Sequence, residues 1–199
     1  DGSTPKGRVF RRLPLGVSDF NGTSFDVRGM VRVRGRTKSA NSLALPPPTA
    51  VQKIPVQQKA TWLHVMHGCS FAEKISWGTP LGRYVLHYDD GTDAALPIQY
   101  GKHVVTWVNN PFAVSTRALF GWREGDFDET RTLNHCIWEN PHPDKTIAAI
   151  SLEAADTDNC LFLVAMTLEM ADTPAEGRDA LSLLEDARLK RAMVNGATD

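Results

Sequence analysis

The residues that could do chemistry come into view first at His64-Val65-Met66-His67-Gly68-Cys69, where three potential metal ligands share one short run. On a strand, side chains alternate between faces, so the odd separation of His64 and His67 sends them to opposite sides. A helix would bring them together, but Gly68 and the β-rich surroundings oppose one. No Glu stands where an HExxH zinc protease needs its base, which excludes that chemistry. His87, His103, His135 and His142 are scattered singly and read as hydrogen-bonding strand residues. There is no GxSxG elbow, phosphate-binding loop or GxGxxG turn. Glu139, Glu153, Asp126, Asp128 and Glu129 could supply the two facing carboxylates of a glycosidase. In a chain with 23 acidic residues such a pair is not distinctive. The expectation is a protein without catalytic residues or a cofactor.

The aromatic residues point elsewhere. Trp77, Tyr100, Trp107 and Trp122 fall near predicted loops or strand ends, and Arg123 follows the last of them. Sugar rings present C–H faces that pack on exposed aromatic rings, while Arg, Asn and Asp bind the hydroxyls. A ledge built from these five residues would suit a glycan. Taken singly, each ring is explained equally well by core or edge packing. Trp62 and Trp138 sit in mid-strand and read as core.

Short apolar stretches are cut by Gly, Pro, Asn and Asp at intervals of about 8–12 residues, the rhythm of a sandwich or barrel. Strands are expected over 24–34, 51–56, 61–69, 82–89, 94–99, 102–107, 115–122, 132–139, 146–154 and 161–169, several of them rich in β-branched and aromatic residues. Asp90-Gly91 predicts a two-residue type I′ hairpin. Asn140-Pro141-His142-Pro143 must leave the ladder, because Pro has no N–H to donate. Pro141 holds Asn140 extended, so Glu139 and Asn140 are displayed at a sandwich edge. There they cap a turn, or face a ligand or a structural Ca²⁺. The stretch 37–50 with its Pro46-Pro47-Pro48 run reads as an exposed insertion.

Near the end the pattern changes. Thr173-Pro174-Ala175-Glu176 is a capping box, and Ala180, Leu183, Leu184, Ala187, Arg191 and Val194 follow helical spacing up to Asn195-Gly196. This predicts one amphipathic helix of about five turns. The organisation is therefore a lead-in over 1–12, a β-sandwich domain over 13–170, and a C-terminal helix with its tail over 171–199.

Composition narrows the partners. With 22 Lys and Arg against 23 Asp and Glu, nothing draws the chain generally to nucleic acid or anionic membrane. No apolar run approaches the roughly 18 residues that span a bilayer. Three cysteines, Cys69, Cys136 and Cys160, leave at least one thiol unpaired and read as small buried strand residues. The opening Asp1-Gly2-Ser3-Thr4-Pro5, without Met, suggests a processed or an excised chain. Processing would imply export, to the periplasm or the extracellular space.

One resemblance rests on particular residues. They are Phe25-Asp26-Val27-Arg28-Gly29-Met30-Val31, Gly82-Arg83-Tyr84-Val85-Leu86-His87-Tyr88-Asp89-Asp90-Gly91, Trp138-Glu139-Asn140-Pro141 and Phe162-Leu163-Val164-Ala165-Met166-Thr167. From Leu13 to Glu169 the chain resembles an uncharacterised all-β domain of large bacterial multi-domain proteins, and is similar to sugar-binding-like modules of the galactose-binding (discoidin-like) superfamily. The resemblance implies an all-β jelly-roll sandwich, with the C-terminal helix outside it, and a binding edge at one end. It brings no established set of binding residues. The functional expectation is a non-catalytic, carbohydrate-binding-like module in a larger or exported protein, with a glycan or a protein as partner. The alternative is a structural subunit that contacts proteins through its sandwich and oligomerises through residues 173–195.

Overall fold

The computed structural model describes residues 10, 12–36, 46–72, 74–108, 118–125 and 130–170, and these form an all-β sandwich of antiparallel sheets. A hairpin of β1 (Gly16–Phe20) and β2 (Thr23–Val27) comes first, followed by β3 (Val31–Arg34), β4 (Ala50–Gln58), β5 (Trp62–Ser70), β6 (Pro80–Tyr88) and β7 (Asp93–Gln99). Then come β8 (Ala118–Glu124), β9 (Arg131–Glu139), β10 (Ile147–Ala154) and β11 (Cys160–Glu169). One sheet runs β4-β10-β6-β7 and the other β3-β11-β5-β9-β8. From β3 onward the chain changes sheet at nearly every connection. Among the described strands of the two large sheets, only β6–β7 and β8–β9 are joined as neighbours in the same sheet.

The layers explain the burial of each strand. Leu63, Val65, Leu81, Leu86, Ile98 and Leu152 fill the space between the two large sheets. On the far side of the five-stranded sheet, Phe20, Phe25 and Val27 of the hairpin pack on Met66, Leu133 and Phe162. Strand β5 therefore has apolar material on both faces, and Trp62 to Cys69 are all buried. Strand β7 has only one covered face and alternates, with Leu96 and Ile98 inward and Asp93, Ala95 and Pro97 exposed. Gly68 has to be glycine, because a Cβ there would come within 2.4 Å of the Phe162 ring.

Several elements differ from the sequence reading. Strand β1 was not anticipated. The expected strand over 24–34 is two, β2 and β3, broken at Arg28-Gly29-Met30, because one turns with the hairpin while the other joins the five-stranded sheet. Residues 102–107 form no strand and contribute isolated bridges, Tyr100 with Val104 and Cys69 with Thr106. The β6–β7 turn is not a two-residue type I′ loop. Its closing pair is Tyr88 and Thr92, only Gly91 has positive φ (83°), and the Gly91 N–H donates to the Tyr88 carbonyl at 3.1 Å. Asp89 and Asp90 thus turn in the right-handed sense, and one left-handed glycine restores the register. Residues 37–45 of the expected insertion and the expected helix over 173–195 lie outside the described residues.

Candidate functional site

The open face of the four-stranded sheet carries a hydrogen-bonded row that crosses all its strands. His87 and Asp93 are cross-strand partners, and Nδ1 of His87 lies 2.8 Å from Oδ1 of Asp93. Nε2 of His87 lies 2.7 Å from Ser151 Oγ. Ser151 donates to Gln52 Oε1 at 2.9 Å, and Gln52 Nε2 donates to Glu153 Oε1 at 3.2 Å. Glu153 Oε2 accepts from Arg83 Nε at 2.7 Å. A local defect makes the row possible. Strand β4 contains an extra residue between its pairs with Ile150 and Leu152, and Lys53 takes a left-handed φ of 53°. Such a bulge frees an amide from the ladder, and the Lys53 N–H donates to Ser151 Oγ at 2.9 Å.

Acid, imidazole and hydroxyl stand here in the order of a serine-hydrolase relay. The surroundings differ from one. Ser151 is 0 % exposed, and its oxygen is enclosed by the Lys53 amide, Gln52 and His87. No substrate carbonyl has room to approach it. The row works as a brace that ties the bulged edge strand to the sheet.

The accessible end of the same face is different. A groove of about 570 Å³ is floored by Ala95, Pro97 and Ala154 and walled by Pro80 and the Arg83–Glu153 pair. The Arg83 hydrogen bond holds the Glu153 carboxyl below its ordinary range, against the smaller opposing effect of burial. A fixed guanidinium and carboxylate beside an apolar floor can engage a ligand that is both hydroxylated and C–H-faced.

Trp77 stands three residues before Pro80, in a loop pinned to this end of β6 and β7. Gly78 donates to the Tyr100 carbonyl at 2.8 Å, and Tyr100 donates to the Thr79 carbonyl at 3.0 Å. The indole is 60 % exposed and lies flat on Gly101, where a Cβ would come within 2.2 Å of it.

The five residues expected to form one ledge occupy three places. Trp77 and Tyr100 share the loop just described, with the Tyr100 side chain buried in the inter-sheet core. Trp107 and Trp122 sit together on the outer side of the five-stranded sheet, with ring centroids 5.3 Å and 5.5 Å from Phe10. Arg131 lies over the Trp107 ring at 5.9 Å. Arg123 is exposed, and as the neighbour of Trp122 in β8 it points to the other face. Asn140 has the capping role: its Oδ1 accepts from the Tyr88 hydroxyl and the His142 amide, and its Nδ2 donates to the Ala60 carbonyl at 2.8 Å.

His64 and His67 do face opposite ways. His67 lies between the large sheets, donating from Nε2 to the His103 carbonyl at 3.0 Å and accepting the Tyr84 hydroxyl on Nδ1 at 3.2 Å. Burial lowers its pKa to about 4. His64 faces the hairpin, where Nε2 lies 2.7 Å from Glu169 Oε2 and Nδ1 lies 3.2 Å from His135 Nε2. Among the described residues no three His, Cys, Asp or Glu converge to hold a metal ion. Cys69, Cys136 and Cys160 are buried and none is in a disulfide.

Glu153 was considered in the sequence only as one carboxylate among several. Its grouping with Arg83 and Ala95 escaped the reading because the three come from three strands, and no spacing encodes which strands are neighbours. A weak signal existed in Gly82-Arg83 on a strand otherwise rich in large residues. Comparison with known proteins finds no matching family and no curated relative.

Proposed function

We propose that this chain is a non-catalytic binding module, a jelly-roll of the galactose-binding-like kind, that holds a glycan in the groove at the end of the four-stranded sheet. The fold part of the reading rests on strand order. The orders β3-β11-β5-β9 and β4-β10-β6-β7, with the chain crossing between sheets, follow the double Greek key of a jelly-roll, and β8 is an added edge strand. The ligand part rests on one observation, the exposed Trp77 indole backed by Gly101 at the same strand end as the Arg83–Glu153 groove. A pyranose offers an apolar face to an indole and vicinal hydroxyls to a guanidinium–carboxylate pair. Glycan recognition fits an exported protein of the periplasm or cell exterior.

The test is a broad glycan array followed by titration calorimetry of any hit. Trp77→Ala and Arg83→Ala should each weaken binding by about tenfold, the value of one good contact of roughly 1.4 kcal/mol. Trp122→Ala should leave it unchanged. An array without a hit, or a hit insensitive to both Trp77→Ala and Arg83→Ala, removes the reading.

A further inference from the structure

We infer that the β1–β2 hairpin is an acid-released latch, held on the five-stranded sheet by a Glu169–His64–His135 relay that has no room for one more proton. The hydrogen-bond directions lead to this. Glu169 has only acceptors to offer, so His64 must donate from Nε2, at 2.7 Å. His64 Nδ1 is then an acceptor, and it takes the His135 Nε2–H at 3.2 Å, with the Thr23 hydroxyl 3.3 Å away. That leaves the remaining nitrogen of His135, Nδ1, as a bare lone pair, buried and without a partner.

Adding a proton at either ring gives the same result. If His64 takes it, Nδ1 becomes a donor, His135 must turn its lone pair toward it, and Nδ1 of His135 becomes a buried N–H with no acceptor. If His135 takes it, that N–H forms directly. With the proton on His64 the charge rests beside Glu169 and the orphan donor of His135 is neutral, and with it on His135 the orphan donor is itself charged. A buried donor without a partner is costly in both cases and most so in the second.

The surroundings offer no other relief. From β2, the Phe25 ring stands perpendicular to the His135 ring with centroids 5.2 Å apart, so the hairpin itself is the cover. The hairpin acids are engaged elsewhere, Asp26 with Arg28 and Asp19 with the Gly22 amide. Strand β8 brings the Gly121 backbone against His135. His67, on β5, faces the other side and adds positive repulsion when charged. Glu169, from β11, is the acid that meets His64 directly. Accordingly burial first, and then His64 and His67, press the His135 pKa to about 3, while burial lowers that of His64 against the pull of Glu169.

Water reaches His135 when the hairpin lifts, and little polar tether opposes this. Among the described residues the hairpin's polar links to the sheet include Thr167 Oγ1 to the Ser24 carbonyl, Asn21 Nδ2 to the Phe120 carbonyl, and the Thr23–His64 contact that the proton disturbs. Release uncovers Phe20, Phe25, Met66 and Phe162 as an apolar face for a partner at low pH.

The test is amide hydrogen exchange on the intact chain between pH 7.5 and 5.0, corrected for intrinsic rates. Below the ordinary imidazole pKa, protection in β2 should fall by about tenfold per pH unit relative to β10, the linkage of one proton to opening. His135→Phe should flatten that dependence, and should it fail to fold, His135→Gln serves the same purpose. Loss of protection in β2 and β10 together, no loss in either, or an undiminished dependence in the variant that folds would each overturn the inference.

Discussion

Lowering the pH from 7 to 5 should cost this domain roughly 2 to 4 kcal/mol of stability through two histidines alone. His67 and His135 have an ordinary pKa of 6.5 in the unfolded chain, and burial takes them to about 4 and about 3 in the fold. Both are therefore neutral in the folded state across this range, while the unfolded chain binds a proton at each site. A depressed folded pKa means that stability is complete above pH 6.5 and drains away as the pH falls toward the folded value. Each imidazole contributes about 1.4 kcal/mol per pH unit below 6.5, so about 2 kcal/mol by pH 5 and about 4 kcal/mol for the pair. If the hairpin lifts, the share of His135 is capped by the cost of opening, and the share of His67, locked between the sheets, remains.

Carboxylates do not blur this window. Asp90, held down by Lys145 and Thr92, and Glu153, held down by Arg83, have ordinary values of 3.8 and 4.5, and their contributions drain only below those. Urea unfolding followed by tryptophan fluorescence at pH 7, 6 and 5 measures the slope. His67→Gln should remove about half of it. A free energy that is flat or rising toward pH 5 would refute the assignment of neutral buried imidazoles.

Other outcomes follow from single contacts. Gly68→Ala pushes a methyl group into the Phe162 ring and should destabilise the sandwich by about 1–3 kcal/mol in the same unfolding assay. Asn140→Ala strips the Tyr88 hydroxyl and the Ala60 carbonyl of their partner in a buried turn, a loss of about 2–4 kcal/mol visible as a lower melting temperature. Gly101→Ala combines a φ of +77° with a Cβ inside the Trp77 indole; the ring should leave its seat, and glycan affinity should fall as far as in Trp77→Ala. The three thiols should resist a thiol reagent in buffer and react fully in denaturant.

The parts of the fold that were legible are those with local causes. Alternation such as Leu96 and Ile98 between exposed neighbours marks a strand with one covered face, and Pro141 stops β9 wherever the strand lies. Strand β1 was hidden because Leu15 and Val17 are apolar yet exposed, so its pattern gives no inward side. The break at Arg28-Gly29-Met30 depends on where the next partner stands, which is a property of the sheet. The candidate site was least legible of all. Trp77 could be singled out as a ring near a loop, but its platform on Gly101 and the pinning of its loop to the end of β6 and β7 are long-range facts. Trp107 and Trp122 offered the same local signal, yet they pack around Phe10. His64 and His67 could be assigned to opposite faces by counting, whereas the contact between His64 and His135 required knowing that β5 and β9 are paired.

Strand β4 has a last consequence, for life among identical neighbours. It lies at the margin of its sheet, kinked twice by left-handed Lys53 and Gln57 and interrupted by Pro55. The opposite margin, β7, carries Pro97 and the charge of Asp93. A straight border with free amides would invite another copy to zip on and start a fibre. These borders deny it a template, so many copies can be crowded together or strung along one polypeptide and each keep its four-stranded sheet to itself.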